Sequence, residues 1–555
     1  MKFDPYFLFK SSFIVSWRYQ HLRYITFSYK TTIDIGSVFS ETTGARTFIQ
    51  GVKRESAMKL LQVASECYGL AKTGGLADMV SSLSRTLAQL GHDVKICLPA
   101  YRETRKLLVD RTFKSSLKVY QHRFEVFEAQ LEPGGPSILL LDCAELFDRP
   151  GDPYRDENGV EFADNGWRFG CFSKAVALLT TQGVEHWRPD VVHLHDWHTG
   201  LVPAFLRQQR PGEASTKTLF TIHNFSFHGI FERRLFEDLK LPASWWHQDH
   251  LEFYGRFSFM KAALKYSDAI NAVSPGYAKE IATPEFGCGL EGVIVDESAR
   301  LTGIVNGIDT EEWNPRTDLH LSRRYDAKYV TSGKRANKAA LQEYLGLPVC
   351  DCPLVIFIGR LAEQKGPDLI LAARQAIAHL PIQFVMLGSG EKPLEQAFSQ
   401  WVGEVPDQVA AIIGVSEKMA HWLTAAADLQ LMPSRFEPCG LSQLYAQRYG
   451  TLPVAHNTGG LADTIIDATP DNLKSGTATG FLFDEARVED MMDGLNRALT
   501  VLARDSVTAR MRKAAMARDF SWKASARSYL DLYRQLDTGN KTFERPTRAL
   551  LKTAP

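Results

Sequence analysis

From Met58 onward, short apolar segments alternate with longer stretches whose apolar positions recur three or four residues apart. The first pattern predicts buried strands, and the second predicts helices. Strands that alternate with helices are typical of a parallel sheet covered on both faces. The predicted strands of this first series span residues 59–64, 94–98, 138–142, 191–195, 218–223, 269–273 and 303–305.

A second series of the same kind begins after Cys352. Its predicted strands span residues 354–358, 383–387, 409–413, 429–432 and 453–455. The two series predict an α/β protein with two similar domains, each built on a parallel sheet, and a cleft between them. We place the first domain at residues 58–303 and the second at residues 304–519.

The first 57 residues differ from the rest of the chain. They contain twelve aromatic residues, and eight Lys or Arg against four Asp or Glu. Lys10 interrupts the one apolar run, so a secretory signal is not indicated. We expect a weakly ordered extension, or upstream sequence read in from a mistaken start. A plastid transit peptide fits the low acidic content, but the many aromatic residues argue against it.

Composition excludes several classes of partner. Lys and Arg together number 64, as do Asp and Glu, so the net charge gives no reason to expect nucleic acid or an anionic membrane surface. No apolar run is long enough to cross a membrane.

Eight scattered cysteines form no disulfide framework, and Cys350 and Cys352 form a lone CxC. We therefore expect reduced thiols and a cytoplasmic protein.

Two cationic loops are candidates for phosphate binding. Arg360 and Lys365 follow a predicted strand and precede a predicted helix at residues 368–380. A guanidinium fork beside an ammonium suits a diphosphate, although two such residues alone are more often solvated surface charges. Lys72, Gly74 and Gly75 stand at the start of a helix predicted at residues 76–90, where backbone amides favour an anion. This second loop lacks the Walker pattern.

A histidine-rich segment follows the strand predicted at residues 191–195. His193, His195, Asp196 and His198 invite a metal-site interpretation, but strand alternation places them poorly for a closed tetrahedral site. Sugar hydroxyls suit Asp and His better, because Asp accepts hydrogen bonds and His both donates and accepts them. His223 follows the next strand in the same way. We predict a sugar site and no metal.

Two further loops after strands of the second series carry similar chemistry. Glu437 precedes Cys439, Gly440 and Leu441, where a helix is expected to begin. Residues 458–460, Thr-Gly-Gly, follow the next strand. Each loop alone is unremarkable, but four cradle-like loops at strand ends in one chain favour one shared ligand site.

These motifs together resemble the bacterial glycogen synthase and plant starch synthase family. The matching segments occur in that family's order and are KTGGLAD at 72–78, HDWH at 195–198, IHN at 222–224, NGID at 306–309, GRLAEQKG at 359–366, EPCGLSQLYAQRYGTLP at 437–453 and TGGLADT at 458–464. The resemblance implies a GT-B fold, ADP-glucose as donor and a growing α-1,4-glucan as acceptor. Glucose would be transferred with retention of configuration and without a cofactor.

The resemblance also implies roles for individual residues. The first domain would hold the glucan acceptor, the second the nucleotide sugar, and a helix at residues 520–536 would cross back to the first domain ahead of a tail at residues 537–555. Catalysis would fall to Glu437, Arg360, Lys365, His223 and Asp196. Donor binding would involve Lys72, Gly74, Gly75, Asp78, Asn306, Arg360, Lys365, Cys439, Gly440, Leu441, Thr458 and Gly459.

Two positions refine this expectation. Related sucrose- and trehalose-type transferases often carry a second Glu where this chain has Tyr445, which favours the ADP-glucose branch. Val415 stands where an aromatic side chain often lies against adenine, and it can contact a base but cannot stack on it. We favour a front-face route to retention over a covalent intermediate. The alternatives are a GT-B enzyme that uses UDP-glucose or makes a short glucoside, and a non-catalytic glucan-binding protein.

Overall fold

A computed structural model describes residues 57–107, 109–209 and 216–538. The predicted N-terminal extension lies outside these residues except for Ala57, and the predicted tail lies outside them except for its first two positions. Within the described residues, the helices and strands form two sheets of the predicted kind and one small additional sheet.

The first domain is built on a nine-stranded sheet in the order β12-β11-β7-β6-β1-β2-β5-β4-β3. Its strands pair in parallel except at one end of the sheet, where β4 lies between β5 and β3 and pairs antiparallel with both. A separate small sheet has the order β8-β10-β9. The strands are β1 (Lys59–Val63), β2 (Asp93–Pro99), β3 (Thr112–Val119), β4 (His122–Gln130), β5 (Ser137–Asp142), β6 (Val191–His195), β7 (Lys217–Ile222), β8 (Ile230–Phe231), β9 (Glu252–Phe253), β10 (Arg256–Ser258), β11 (Ala269–Ala272) and β12 (Leu301–Gly303).

Helices cover both faces of this sheet and bury the apolar side chains of its central strands. They are α1 (Gly75–Gln89), α2 (Arg102–Leu107), α3 (Ala144–Phe147), α4 (Asn165–Gln182), α5 (Val202–Gln209), α6 (Arg233–Asp238), α7 (Phe259–Tyr266), α8 (Pro275–Glu280) and α9 (Glu291–Asp296).

The second domain has a six-stranded, wholly parallel sheet in the order β15-β14-β13-β16-β17-β18. Numbered within the domain, this is the doubly wound order 3-2-1-4-5-6, in which ligands bind where the order reverses. The strands are β13 (Leu354–Ile358), β14 (Gln383–Gly388), β15 (Val409–Ile413), β16 (Leu429–Met432), β17 (Leu452–His456) and β18 (Phe481–Phe483). The helices are α10 (Val330–Leu345), α11 (Pro367–Ala372), α12 (Arg374–Ala378), α13 (Lys392–Glu404), α14 (Glu417–Ala426), α15 (Ser442–Arg448), α16 (Gly459–Thr464), α17 (Pro470–Ser475), α18 (Val488–Leu502), α19 (Asp505–Met516) and α20 (Trp522–Thr538).

The last helix, α20, packs against the first domain. Trp522, Tyr529 and Tyr533 are buried in one core with residues of α1, β1 and β2. The chain therefore passes between the domains twice, and the two passages touch where Ile308 pairs with Ser521.

Several details of the sequence prediction need correction. The strand predicted at residues 303–305 is β12 and begins two residues earlier, and the helix predicted at 368–380 is divided into α11 and α12 at Ala373. The prediction missed β3 and β4, whose exposed positions interrupt any continuous apolar run. It also missed β8, β9, β10 and β18, which are only two or three residues long.

The expectation of reduced thiols is wrong at one pair. Cys350 and Cys352 form a disulfide, with their Cα atoms 5.4 Å apart, within the range such a bond spans. The other six cysteines are free. None of the helices in the described parts of the chain combines the length and apolar character needed to cross a membrane.

Candidate active site

A cavity of about 790 Å³ lies between the carboxyl ends of the two parallel sheets. It is bordered by the loops that follow β1, β6 and β7 of the first domain and β13 and β16 of the second. In each sheet these loops flank the point where strand order reverses, which is where open α/β sheets bind ligands. Of the residues predicted for the site, those that line the cavity are Lys72, Gly74, Gly75, Asp196, His223, Asn306, Arg360, Lys365, Glu437, Cys439, Gly440 and Leu441.

The loop after β13 carries the two predicted diphosphate ligands. Arg360 is exposed toward the cavity, and its guanidinium has no ion-pair partner within the described ranges. Gly366 adopts φ 68° and fixes this loop against β16, since a Cβ there would lie 2.1 Å from the Pro433 carbonyl oxygen. Arg360 is thus a positive group that a ligand phosphate can neutralise.

Lys365 and Glu437 form an ion pair across this end of the sheet. Glu437 is only 4% exposed, and the Ser434 hydroxyl also donates to its carboxylate at 3.1 Å. The lysine therefore joins the predicted sugar-binding carboxylate to the predicted phosphate loop. An ammonium with three donors can hold the carboxylate and a phosphate oxygen at once.

The loop after β1 is held by a carboxylate that the sequence analysis did not single out. Glu66 accepts hydrogen bonds from the Thr73 amide at 2.6 Å, the Gly74 amide at 3.1 Å and the Tyr154 hydroxyl at 2.6 Å. Its position directly after a strand was the available signal. Glu66 orients the Gly-Gly turn toward the cavity.

Asp78 does not line the cavity. Its carboxylate lies 2.7 Å from the Lys72 ammonium, in the first turn of α1. Asp78 therefore positions the lysine, which itself faces the cavity.

Asp196 and His223 lie side by side at the ends of β6 and β7. The Asp196 carboxylate accepts a hydrogen bond of 2.8 Å from the His223 backbone amide, and the Asp196 backbone adopts φ 55°. A positive φ is uncommon outside glycine, so this conformation is one the surrounding structure imposes. Burial raises the pKa of Asp196 to about 7 and lowers the pKa of His223 to about 3. His223 is therefore neutral near pH 7.

A buried chain of hydrogen bonds determines which nitrogen of His223 carries the hydrogen. His195 Nε2 donates to Gln62 Oε1 at 3.0 Å, because an amide oxygen can only accept. Burial keeps the pKa of His195 well below its usual value, so this ring is neutral and its Nδ1 accepts. That Nδ1 lies 3.1 Å from His223 Nε2, which must therefore donate. His223 Nδ1 is left as an acceptor for a ligand hydroxyl.

The chain of hydrogen bonds continues from Gln62 to Tyr533, which lies on α20. Gln62 Nε2 donates to the Tyr533 hydroxyl at 3.1 Å, and that hydroxyl shares a second hydrogen bond of 2.8 Å with His193 Nδ1. All of these side chains are buried. The helix that closes the core of the first domain thus also fixes the orientation of Gln62, and through it the tautomer of His223.

Asn306 lies in the segment after β12, and Cys439 lies in the loop after β16. Asn306 is 6% exposed, and its side-chain carbonyl oxygen has no hydrogen-bond partner among the described residues. Cys439 is buried, which raises the pKa of its thiol to about 12. Asn306 therefore offers the cavity a buried acceptor, while Cys439 is a neutral packing group.

Thr458 and Gly459, which were predicted to bind the donor, are not among the residues that line the cavity. The Thr458 hydroxyl and the Gly459 amide both donate to Glu280 of α8, at 2.8 Å and 2.7 Å. Asp463 of α16 in turn accepts a 2.6 Å bond from the Gly276 amide. The amino terminus of α16 is thus occupied by a carboxylate of the first domain, and these residues join the domains together.

Val415 and Tyr445 also lie away from the cavity lining. Val415 is 94% exposed. Tyr445 stacks on Trp313 with ring centroids 3.7 Å apart, inside the second domain.

Two Rossmann-like domains that face each other across a phosphate- and sugar-binding cleft define a glycosyltransferase of the GT-B class, and the predicted fold is confirmed. Residues 59–296 match the family described as starch synthase catalytic domain, and residues 350–516 match glycosyl transferases group 1. The chain belongs to the starch and glycogen synthase family of glucosyltransferases, as its motifs indicated.

Individual relatives support this assignment over most of the chain. It is 46% identical to "Glycogen synthase 2" of Nitrosococcus oceani over 86% of this chain and 97% of that protein. It is 44% identical to a glycogen synthase of Paramagnetospirillum magneticum over 87% of this chain and 98% of that protein. The solved catalytic domain of starch synthase IV from Arabidopsis thaliana, bound to ADP and acarbose, superposes with a TM-score of 0.78 at 32% identity, covering 87% of this chain and all of that one.

Proposed function

We propose that this protein is a glycogen synthase that transfers glucose from ADP-glucose to the non-reducing end of an α-1,4-glucan with retention of anomeric configuration. One observation carries the proposal. A single cavity brings the cations of the β13 loop, Arg360 and Lys365, together with the polar side chains Asp196, His223 and Glu437. The first set suits a departing diphosphate and the second suits a glucose ring.

The chemistry follows from the charges that surround each group. Arg360, which has no carboxylate partner in the described part of the chain, would take the donor diphosphate and stabilise the negative charge that develops as ADP departs. Lys365 would share this role while it holds Glu437 against the glucose hydroxyls. No cofactor is invoked in this scheme, and a cytoplasmic location belongs to the same proposal.

His223 and Asp196 would orient the glucose. The neutral His223 ring would accept a sugar hydroxyl at Nδ1, and Asn306 would offer its unpartnered carbonyl oxygen to another hydroxyl. We favour a front-face route, in which a leaving phosphate oxygen takes the proton from the acceptor hydroxyl. The acceptor oxygen then bonds to the anomeric carbon on the face from which ADP departs.

The test is the release of ADP or UDP from ADP-glucose and UDP-glucose, each with and without glycogen. We expect glycogen-dependent ADP release that Arg360→Ala lowers by a factor on the order of 10² to 10³, the scale for one preorganised charge-stabilising group. Arg335→Ala is the matched control, because Arg335 is 69% exposed on α10. Release of UDP alone would show that the donor is UDP-glucose. No nucleotide release from either donor would favour a non-catalytic, glucan-binding role.

A further inference from the structure

Three potential metal ligands converge outside the cavity. Glu417 and His421 lie four residues apart on α14, which places them on one face of the helix. Glu312 reaches the same place from the segment that follows the passage between the domains. One ligand atom from each of these three side chains lies within 4.8 Å of the others.

His421 is held in place for such a role. Its side chain is only 2% exposed, and its Nδ1 lies 2.7 Å from the Asp318 carboxylate. The ring stacks on Trp313 with centroids 3.7 Å apart. Because a carboxylate accepts hydrogen bonds, Nδ1 carries the hydrogen, and Nε2 has no hydrogen-bond partner among the described residues. The nitrogen lone pair on Nε2 is thus buried and unused.

The two glutamates also lack a positive partner in the described part of the chain. Nearby acids have one: Asp78 pairs with Lys72 at 2.7 Å, and Asp309 lies 3.6 Å from Arg85. The carboxylates of Glu312 and Glu417 therefore face each other with no Lys or Arg paired to either of them among the described residues.

We propose that Glu312, Glu417 and His421 bind a divalent first-row metal ion such as Zn²⁺, with Asp318 orienting His421 from behind. An imidazole nitrogen with carboxylate oxygens is a ligand set that Zn²⁺ accepts. A carboxylate on the second ring nitrogen is the usual support of a metal-binding histidine. The bound ion would link α14 to the segment that contains Glu312, which follows the first passage between the domains.

A second cluster of potential metal ligands differs from this one, because its histidine has no ring nitrogen left for a metal. His122, Cys143 and Glu145 also lie close together. There, however, both ring nitrogens of His122 are engaged, one by Glu145 and the other by the Trp167 indole at 3.1 Å. No lone pair remains for a metal, so this cluster carries no proposal.

The test is titration of metal-free protein with Zn²⁺ against a chromophoric chelator. We expect one ion to bind, with at least tenfold weaker affinity in Glu312→Gln and in Glu417→Gln. Glu311→Gln is the matched control, since it removes an adjacent, exposed carboxylate and should bind as the wild type does.

A Co²⁺ absorption spectrum separates this site from an adventitious thiol site. The exposed thiol of Cys288 would produce a thiolate charge-transfer band, whereas the proposed ligands would not. Equal Zn²⁺ affinity in the wild type and both Gln variants, a thiolate band, or no measurable Zn²⁺ binding would each overturn the proposal. Because none of these three residues lines the cavity, the outcome is independent of the proposed glucosyl transfer.

Discussion

Replacing Tyr533 by Phe would test the buried hydrogen-bond chain that links α20 to His223. The Tyr533 side chain is fully buried, and its hydroxyl accepts a hydrogen bond from Gln62 at 3.1 Å and shares another with His193 at 2.8 Å. Phe fills the same space but leaves the buried polar groups of Gln62 and His193 unsatisfied. Since each such group costs about 1–3 kcal/mol, we expect the free energy of unfolding to fall by about 2–6 kcal/mol in chemical denaturation.

The same substitution should change the chemistry of His223. Without the Tyr533 hydroxyl, the Gln62 amide is free to turn and present its NH₂ group to His195. His195 would then donate from Nδ1, and His223 would carry its hydrogen on Nδ1 instead of Nε2. Nitrogen-15 NMR of the histidine rings should show the Nε2–H form of His223 in the wild type and a mixture in Tyr533→Phe, with kcat lowered by a few-fold.

Tyr529→Phe is the control that separates an effect on the tautomer of His223 from a loss of protein stability. Tyr529 is also fully buried on α20, and its hydroxyl accepts from Asn271 at 3.0 Å, but it makes no bond to Gln62. We expect this variant to lose stability while the tautomer of His223 and kcat stay as in the wild type. If His223 carried its hydrogen on Nδ1 in the wild type, or if both variants shifted the tautomer equally, the argument from the Gln62 orientation would be wrong.

Three further outcomes follow from the structure. Asp196→Asn should raise the melting temperature more at pH 8 than at pH 5, because the raised pKa of Asp196 costs stability once the unfolded carboxyl ionises above about pH 4; an equal gain at both pH values would contradict this. Asp196→Asn, which lacks the opposing titration of Asp196, should lose stability as pH falls from 7 to 5, because burial lowers the pKa of His223 to about 3 and an unfolded histidine takes up a proton below about pH 6.5; a melting temperature of this variant that did not change between these pH values would argue against it. Glu280→Ala should cost about 1–3 kcal/mol in denaturation, since two donors at the amino terminus of α16 lose their acceptor, whereas the exposed Glu285→Ala should cost little.

The parallel sheets were predictable because their central strands are buried on both faces and therefore read as continuous apolar runs. The same topology placed the β13 and β16 loops together, since carboxyl ends of parallel strands share one edge. Arg360, Lys365 and Glu437 could thus be assigned to one site from order and chemistry alone. The edge strands β3 and β4 alternate in burial, and this weaker pattern was missed.

Contacts between distant residues explain the remaining differences. Thr458 and Gly459 carry the local signature of an anion site, but the anion they hold is Glu280, 178 residues earlier than Thr458. No local pattern reveals such a partner. The hydrogen of His223 is likewise fixed by Gln62 and Tyr533, which are 471 residues apart.

The packing of α20 has a consequence for biosynthesis. Trp522, Tyr529 and Tyr533 belong to the core that includes β1 and β2, so this core lacks three large aromatic side chains until α20 has been synthesised. The second domain, which precedes α20 in the sequence, must therefore be made before the core of the first domain can be completed. We expect chaperones to bind the nascent chain at the apolar surface that α20 covers in the folded protein.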